Sequence, residues 1–253
     1  MSFINNTNFG LDVARGRVAG MMTVNKFGSS PNGVQTSATD IWSRADATPT
    51  QQIWIAPTTA RIHAIVSTSA NDTNTAGTGA RTIQVYGLTS WSTKEESEVI
   101  ALNGTGAVNT TKSYVIIHRM KVLTSGATSI NVGTISATAA TDGTVTAIIS
   151  PGDGQTEMAI YGVPSVQDAY LTRWLCNIDK TGATTVTCDF EFRVNENPDV
   201  QRTNFLRKQD MSLMSSGTSC MEAVFDLPPK FSGPCIVKIQ GIASAADTEA
   251  DAA

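Results

Sequence analysis

The chain has 253 residues, 41% of them hydrophobic and only 16% charged, with a formal net charge of −4. An acidic balance with scattered Lys and Arg excludes a face built to track nucleic-acid phosphates, and no run approaches the roughly 20 apolar residues of a membrane-spanning helix. The length suffices for a sizeable core in one large domain or two small ones. The missing charge is replaced by Thr, Ser, Ala, Gly and Asn, side chains that sit easily on exposed strand positions.

Residues 1–37 form the first element. NFGLDVARGRVAGMMTVNKFGSSPNGVQTS shows neither alternation nor a helical stripe. Its spaced apolar residues Phe9, Leu11, Val13, Val18, Met21, Met22, Val24 and Phe27 predict an extended N-terminal arm that orders against a neighbour or the domain surface. MSFINNTNFGLD has neither a charged nor an apolar leader region, so a secretory signal is not expected.

From residue 38 to 242 the pattern is all-β. DIWSRA, QQIWIAP, ARIHAIVSTS, RTIQVYGL, ESEVIAL, SYVIIHRMKV, GTVTAIIS, QTEMAIYGV, ATTVTCDFEFRV and PCIVKIQGI are strand-length runs rich in β-branched and aromatic residues. In ARIHAIVSTS, Ile62, Ala64 and Val66 share one face and Arg61, His63 and Ile65 the other. Asp142-Gly143 is a short-hairpin signal, and Pro151-Gly152-Asp153-Gly154 is a turn. A short helix is expected near Val200 to Met214. One large β-sandwich, jelly-roll-like, is preferred over two small ones. ASAADTEADAA, residues 243–253, reads as a disordered acidic tail.

LCNIDKTGATTVTC predicts a hairpin turning at Thr181-Gly182-Ala183, with Cys176 opposite Cys188 and a disulfide geometrically possible. Cys220 and Cys235 flank a second predicted hairpin around Pro228-Pro229. Four buried thiols are the preferred alternative, because a chain made in a cytosol starts reduced. Zinc is not expected without a CxxC pair.

No catalytic constellation emerges. His63 and His118 each sit among apolar strand residues, far from any nucleophile elbow. Glu95, Glu96 and Glu98 beside Lys94 read as a charged strand entry rather than a glycosidase pair. Asp72, Asn74 and Gly77 begin an EF-hand pattern, but Ile83 stands where the bidentate acid belongs. GTG at Gly77–Gly79 and at Gly104–Gly106 lacks the third glycine of a nucleotide loop. The closest basic group, Arg202, Arg207 and Lys208, reads as a solvated loop. Trp42 and Trp54 fall in strand patterns and should pack in the core. Trp91, in the turn-like TSWSTKEE, is the aromatic most suited to a contact. No catalytic, cofactor-binding or metal-binding residue is therefore expected.

Several segments, VNKFGSSPNGVQTSATDIW, APTTARIHAIVSTSANDT, RTIQVYGLTSW, SYVIIHRMKVL and TDGTVTAIISPGDGQTEMAIYGVP, together resemble virion structural proteins of tailed bacteriophages, particularly marine phages. The resemblance spans about two-thirds of the chain in order. It implies a β-sandwich subunit on a head, neck or tail, located in the virion after synthesis in the host cytoplasm. The acidic end departs from the strand that would close such a domain. The expected role is a non-enzymatic capsid decoration (cement) protein. A neck, collar, tail or adsorption component is the alternative, and a carbohydrate-binding module or sugar-active enzyme the alternative of another class. Expected partners are the major capsid protein or other virion subunits and further copies of the chain, as a trimer or a dimer, with no nucleic acid, membrane or cofactor.

Overall fold

The computed structural model describes residues 9–43, 51–179, 185–216, 219–246 and 248–253. Apart from a short helix α1 (Phe9–Ala14), the regular structure is all strand. In chain order these are β1 (Gly28–Val34), β2 (Thr39–Asp40), β3 (His63–Ser67), β4 (Ala80–Leu88), β5 (Glu96–Ala101), β6 (Val108–Asn109), β7 (Ile116–Ser125), β8 (Ile135–Ala139) and β9 (Val145–Ile149). Then follow β10 (Ile160–Val163), β11 (Asp168–Tyr170), β12 (Arg173–Asp179), β13 (Thr187–Asn195), β14 (Leu206–Met214), β15 (Cys220–Val224), β16 (Lys230–Ser232), β17 (Cys235–Ala243) and β18 (Thr248–Ala252).

Alternation forms these strands. In β3 the side chains of His63, Ile65 and Ser67 turn inward, the face opposite Ala64 and Val66. In β12, Trp174, Cys176 and Ile178 do the same. The Asp142-Gly143 turn joins β8 to β9 as an antiparallel pair, with Thr141 and Gly143 at positive φ.

Buried side chains fall into two clusters where one sandwich over 38–242 was expected. The first belongs to β3–β9, arranged as the sheets β6-β3-β8-β9 and β5-β4-β7 around Ile65, Ile83, Val85, Ile100, Met120, Ile135 and Ala147. The second belongs to the strands on either side in sequence. Its sheets are β1-β18-β12-β15 and β10-β17-β13-β14, with β2 joined to β17, around Val34, Trp174, Cys176, Cys188, Phe190, Leu213 and Ile239. The first sandwich is thus an insertion between β2 and β10 of the second. Trp42, Met158, Ile160 and Ile236 carry the inserted core up to the outer one.

Four expectations are corrected. The acidic end is not a disordered tail: residues 248–252 form β18, paired with both β1 and β12. Thr248, Ala250 and Ala252 face inward while Glu249 and Asp251 face water, an alternation that alanines hide from a reading keyed to large side chains. The arm is not extended throughout: 28–34 is β1, ordered against the domain by pairing with β18, but 9–14 is helix. No helix forms near Val200 to Met214: 206–214 is β14, with Met211 and Leu213 inward. The cysteine hairpins do not exist. Cys176 lies on β12, bonded to β15 and β18, while Cys188 lies on β13 between β14 and β17. Residues 181–183, the expected turn, lie outside the described residues. Cys220 and Cys235 are likewise on different sheets. All four cysteines are free thiols.

Candidate functional site

Residues 9–27 carry an unusual surface. Helix α1 is capped by Arg17 N–H donating to Asp12 O, and Gly16 and Gly20 turn the chain at positive φ. Val13 is buried, but Phe9, Leu11, Met21, Met22, Val24 and Phe27 are 39–57% exposed. Among the described residues, 22–25 form no backbone hydrogen bond. The arm joins the outer sandwich at Gly28, where a Cβ would meet Ala159 N at 2.4 Å and Ile41 O at 2.5 Å. Only a glycine lets β1 begin so close to those backbones.

One arm side chain reaches into the body. Lys26 Nζ donates to the carbonyl of His118. The His118 ring is buried, meets the Glu95 carboxylate through Nε2, and lies 4.5 Å from the Tyr161 ring centroid. Burial, with Arg119 nearby, lowers the Lys26 pKa to about 7, against the opposing pull of Glu95. Burial lowers His118 too, and raises Tyr161 to about 12. Burial pushes Glu95 up, but His118, Lys26 and Arg119 outweigh it and hold the carboxyl below its usual range. His118 is the core histidine that the sequence suggests. Its pairing with Glu95 and Lys26, on other elements, has no local sequence signal.

Opposite the arm lie two open edges. β15 ends one sheet of the outer sandwich and β14 ends the other. β15 is exposed on nearly its whole length, with only Ala223 partly covered. Met221, Val224 (69% exposed) and Leu227 (90% exposed) line it, and its charges are Glu222 and Asp226. β14 is the basic edge: Arg207 pairs with Glu191 at 3.3 Å and Lys208 with Glu196 at 2.6 Å. Arg202, far from forming one patch with them, donates to Ala56 O at 2.8 Å. Unpaired strand edges with exposed apolar side chains are templates for another chain.

No protein-family model, curated protein or solved structure matches this chain.

The remaining polar candidates have structural duties. Asp72, first residue of the EF-hand-like pattern, is buried and accepts from Ser67 Oγ (2.6 Å), Ala80 N (2.8 Å), Val132 N (2.9 Å) and Gly133 N (2.8 Å). Its oxygens tie three loops together and leave none for a cation. The neighbouring GTG serves the same knot: a Cβ on Gly79 would fall 2.1 Å from Asp72 Oδ1. Asp40 is buried where the sandwiches meet and accepts from Lys238 Nζ (2.7 Å), Gln240 Nε2 (2.8 Å) and Trp54 N (2.8 Å). Burial pushes its carboxyl up and the Lys238 ammonium down, while their contact opposes both shifts.

His63 is lowered to about 4 by burial and contacts Arg61 O through Nδ1, a neutral core imidazole. The three glutamates diverge. Glu95 meets His118, Glu96 meets Lys112, and Glu98 accepts from Thr111 and Lys112 backbone N–H groups. Burial pushes the Cys176 thiol well up, and Cys188 and Cys235 up to about 12, so none is a ready nucleophile. Trp42 and Trp54 are core residues. Trp91 is half-buried beside an open cleft of about 500 Å³ that Ser90, Ser92, Ser165 and Asp199 also line. Among the described residues no three His, Cys, Asp or Glu side chains gather as a metal site, and no helix is long and apolar enough to cross a membrane.

Proposed function

We propose that the protein is a non-enzymatic structural subunit of a bacteriophage virion, first of all a capsid decoration protein that binds by its exposed surface. The observation that carries this reading is the strand order of the outer sandwich. Its eight principal strands, numbered by position in the chain, run 1-8-3-6 in one sheet (β1-β18-β12-β15) and 2-7-4-5 in the other (β10-β17-β13-β14). Every pairing is antiparallel. We read this order as that of a jelly roll, a double Greek key used by viral capsid and lectin domains among others. Fold alone does not assign a role. Two considerations add to it: the segments quoted above resemble tailed-phage virion proteins, and the arm exposes six large apolar side chains that a capsid surface could cover. A decoration subunit resists internal pressure by burying such surface across the seams between capsid proteins.

Purified particles test the reading. Quantitative mass spectrometry should give a copy number that follows the capsid lattice, and cryo-electron microscopy should place the density on the head. A few copies at a single vertex would move the protein to the neck or tail. Absence from particles would overturn the proposal. The Trp91 cleft favours a second reading, glycan binding, because an indole beside hydroxyls and one carboxylate suits a neutral sugar. Glycan-array binding that is lost in Trp91→Ala would support it.

A further inference from the structure

The arm and the β15 edge are the two unfinished surfaces of this chain, and their chemistries match. The arm offers residues 21–25, Met-Met-Thr-Val-Asn, a five-residue stretch outside helix and strand. Its residues 22–25 form no backbone hydrogen bond among the described residues. β15 is also five residues long, bonded to β12 on one side only. Each surface leaves a row of backbone donors and acceptors unpaired, which strand addition would satisfy.

The side chains agree as well. Met21, Met22 and Val24 are exposed on the arm; Met221 and Val224 are exposed on β15. Arg15 and Arg17 precede the arm stretch, whereas Glu222 and Asp226 are the charges of the β15 edge. Glu222 already meets Arg173 at 3.4 Å, but both side chains are widely exposed and free to share partners. On the β14 edge Arg207 and Lys208 are already paired with Glu191 and Glu196, and Asp210 follows them. Exposure selects β15 over β14: β15 is exposed on nearly its whole length, whereas Met211 and Leu213 of β14 are buried.

Geometry selects another molecule over self-contact. The arm leaves from β1, at one edge of its sheet, and β15 is the opposite edge of that sheet. Three strand spacings, about 14 Å, separate them, and Lys26 pins the root of the arm to the body of its own subunit. We propose that residues 21–25 of one copy add as a strand to the β15 edge of a second copy, closing the protein into a homo-oligomer. The inference rests on the reading of the arm as an assembly element and names its partner. It buries apolar surface on both copies and removes an aggregation-prone edge.

Cys220 supplies a native probe, because it is exposed on β15 while the other three cysteines are buried. Met22→Cys, Thr23→Cys and Val24→Cys are made singly in the full chain and oxidised with copper-phenanthroline. At least one should give an intermolecular disulfide in most molecules, lost when Cys220→Ser is added. Sedimentation of the unmodified protein should show a trimer or dimer, and Val224→Asp should weaken association at least tenfold. No cross-link at any of the three positions, together with a monomer in sedimentation, overturns the inference. If that monomer still occupies particles and removal of residues 1–25 displaces it, the virion reading stands and the arm binds a different subunit. A cross-linked oligomer absent from particles has the opposite meaning.

Discussion

In the inserted sandwich the polar chemistry is turned inward, around Asp72, and among the described residues only Val99, Leu123 and Val132 are large apolar side chains left exposed. The outer sandwich and its arm expose, among others, Phe9 and Met22 on the arm, Leu206 and Met214 on β14, Met221 and Val224 on β15, and Leu227 just beyond it. The inserted one leaves little large apolar surface exposed, whereas the outer one and its arm leave the surface that the proposed assembly would cover. Self-contained stability should therefore concentrate around Asp72, and association around the arm and β15.

The largest expected effect tests the first half of that comparison. Asp72→Ala removes the acceptor of three backbone N–H groups and one hydroxyl in a buried site. Buried donors left unmet cost ~1–3 kcal/mol each, and their loss here is shared, so about 4 kcal/mol in urea unfolding is expected. A loss below about 1 kcal/mol would mean that the loops hold without the knot. Next comes the junction between the sandwiches. Lys238→Met strands the Asp40 carboxylate, leaving it Gln240 and Trp54 N. A loss of ~3 kcal/mol is expected, while the double change Asp40→Leu, Lys238→Met should recover most of it.

A third prediction concerns how firmly the arm sits. Burial lowers the pKa of Lys26 in its seat from the ordinary 10.5 to about 7, so the released arm holds the proton more tightly. Seating is then weakest below pH 7 and strengthens as pH rises toward 10.5, by at most about 1.4 kcal/mol per unit. Trypsin should clip at Arg15 and Arg17 more slowly at pH 9 than at pH 7, each rate being normalised to the same site in a free peptide. Lys26→Met should flatten the difference. An unchanged ratio would show that the lysine is not what titrates the arm.

Much of the architecture could be read from alternation, as in ARIHAIVSTS of β3 and RTIQVYGL of β4, and from Asp142-Gly143. What could not be read has specific causes. TEADA forms an inner strand through Thr248, Ala250 and Ala252, residues too small to announce a buried face. The run from Val200 to Met214 mixes helix-favouring residues, yet tertiary pairing with β13 makes 206–214 a strand. Cys176 and Cys188 flank a turn-like sequence, but their strands pair with partners distant in the chain, which local pattern cannot specify. The arm's apolar residues were visible. Its seat on Glu95 and His118, and the β15 edge across the sheet, depend on contacts between distant segments and so had no local signal.

The smallest expected change in stability is at Cys220, and it separates the two kinds of surface most cleanly. A thiol reagent should modify one cysteine of the native protein promptly, because Cys220 alone is exposed. Cys176, Cys188 and Cys235 should react only as the outer core opens, since burial both hides them and raises their pKa. Cys220→Ser should remove the fast reaction and shift stability by no more than about 0.5 kcal/mol, as expected for a surface site. In an assembled oligomer the fast reaction should slow if an arm covers β15. Equal reactivity in monomer and oligomer would leave β15 uncovered and send the search for the contact to the β14 edge. Prompt reaction of two or more thiols would instead mean that the outer core itself opens readily, against the tight packing of Cys176 and Cys188 in it.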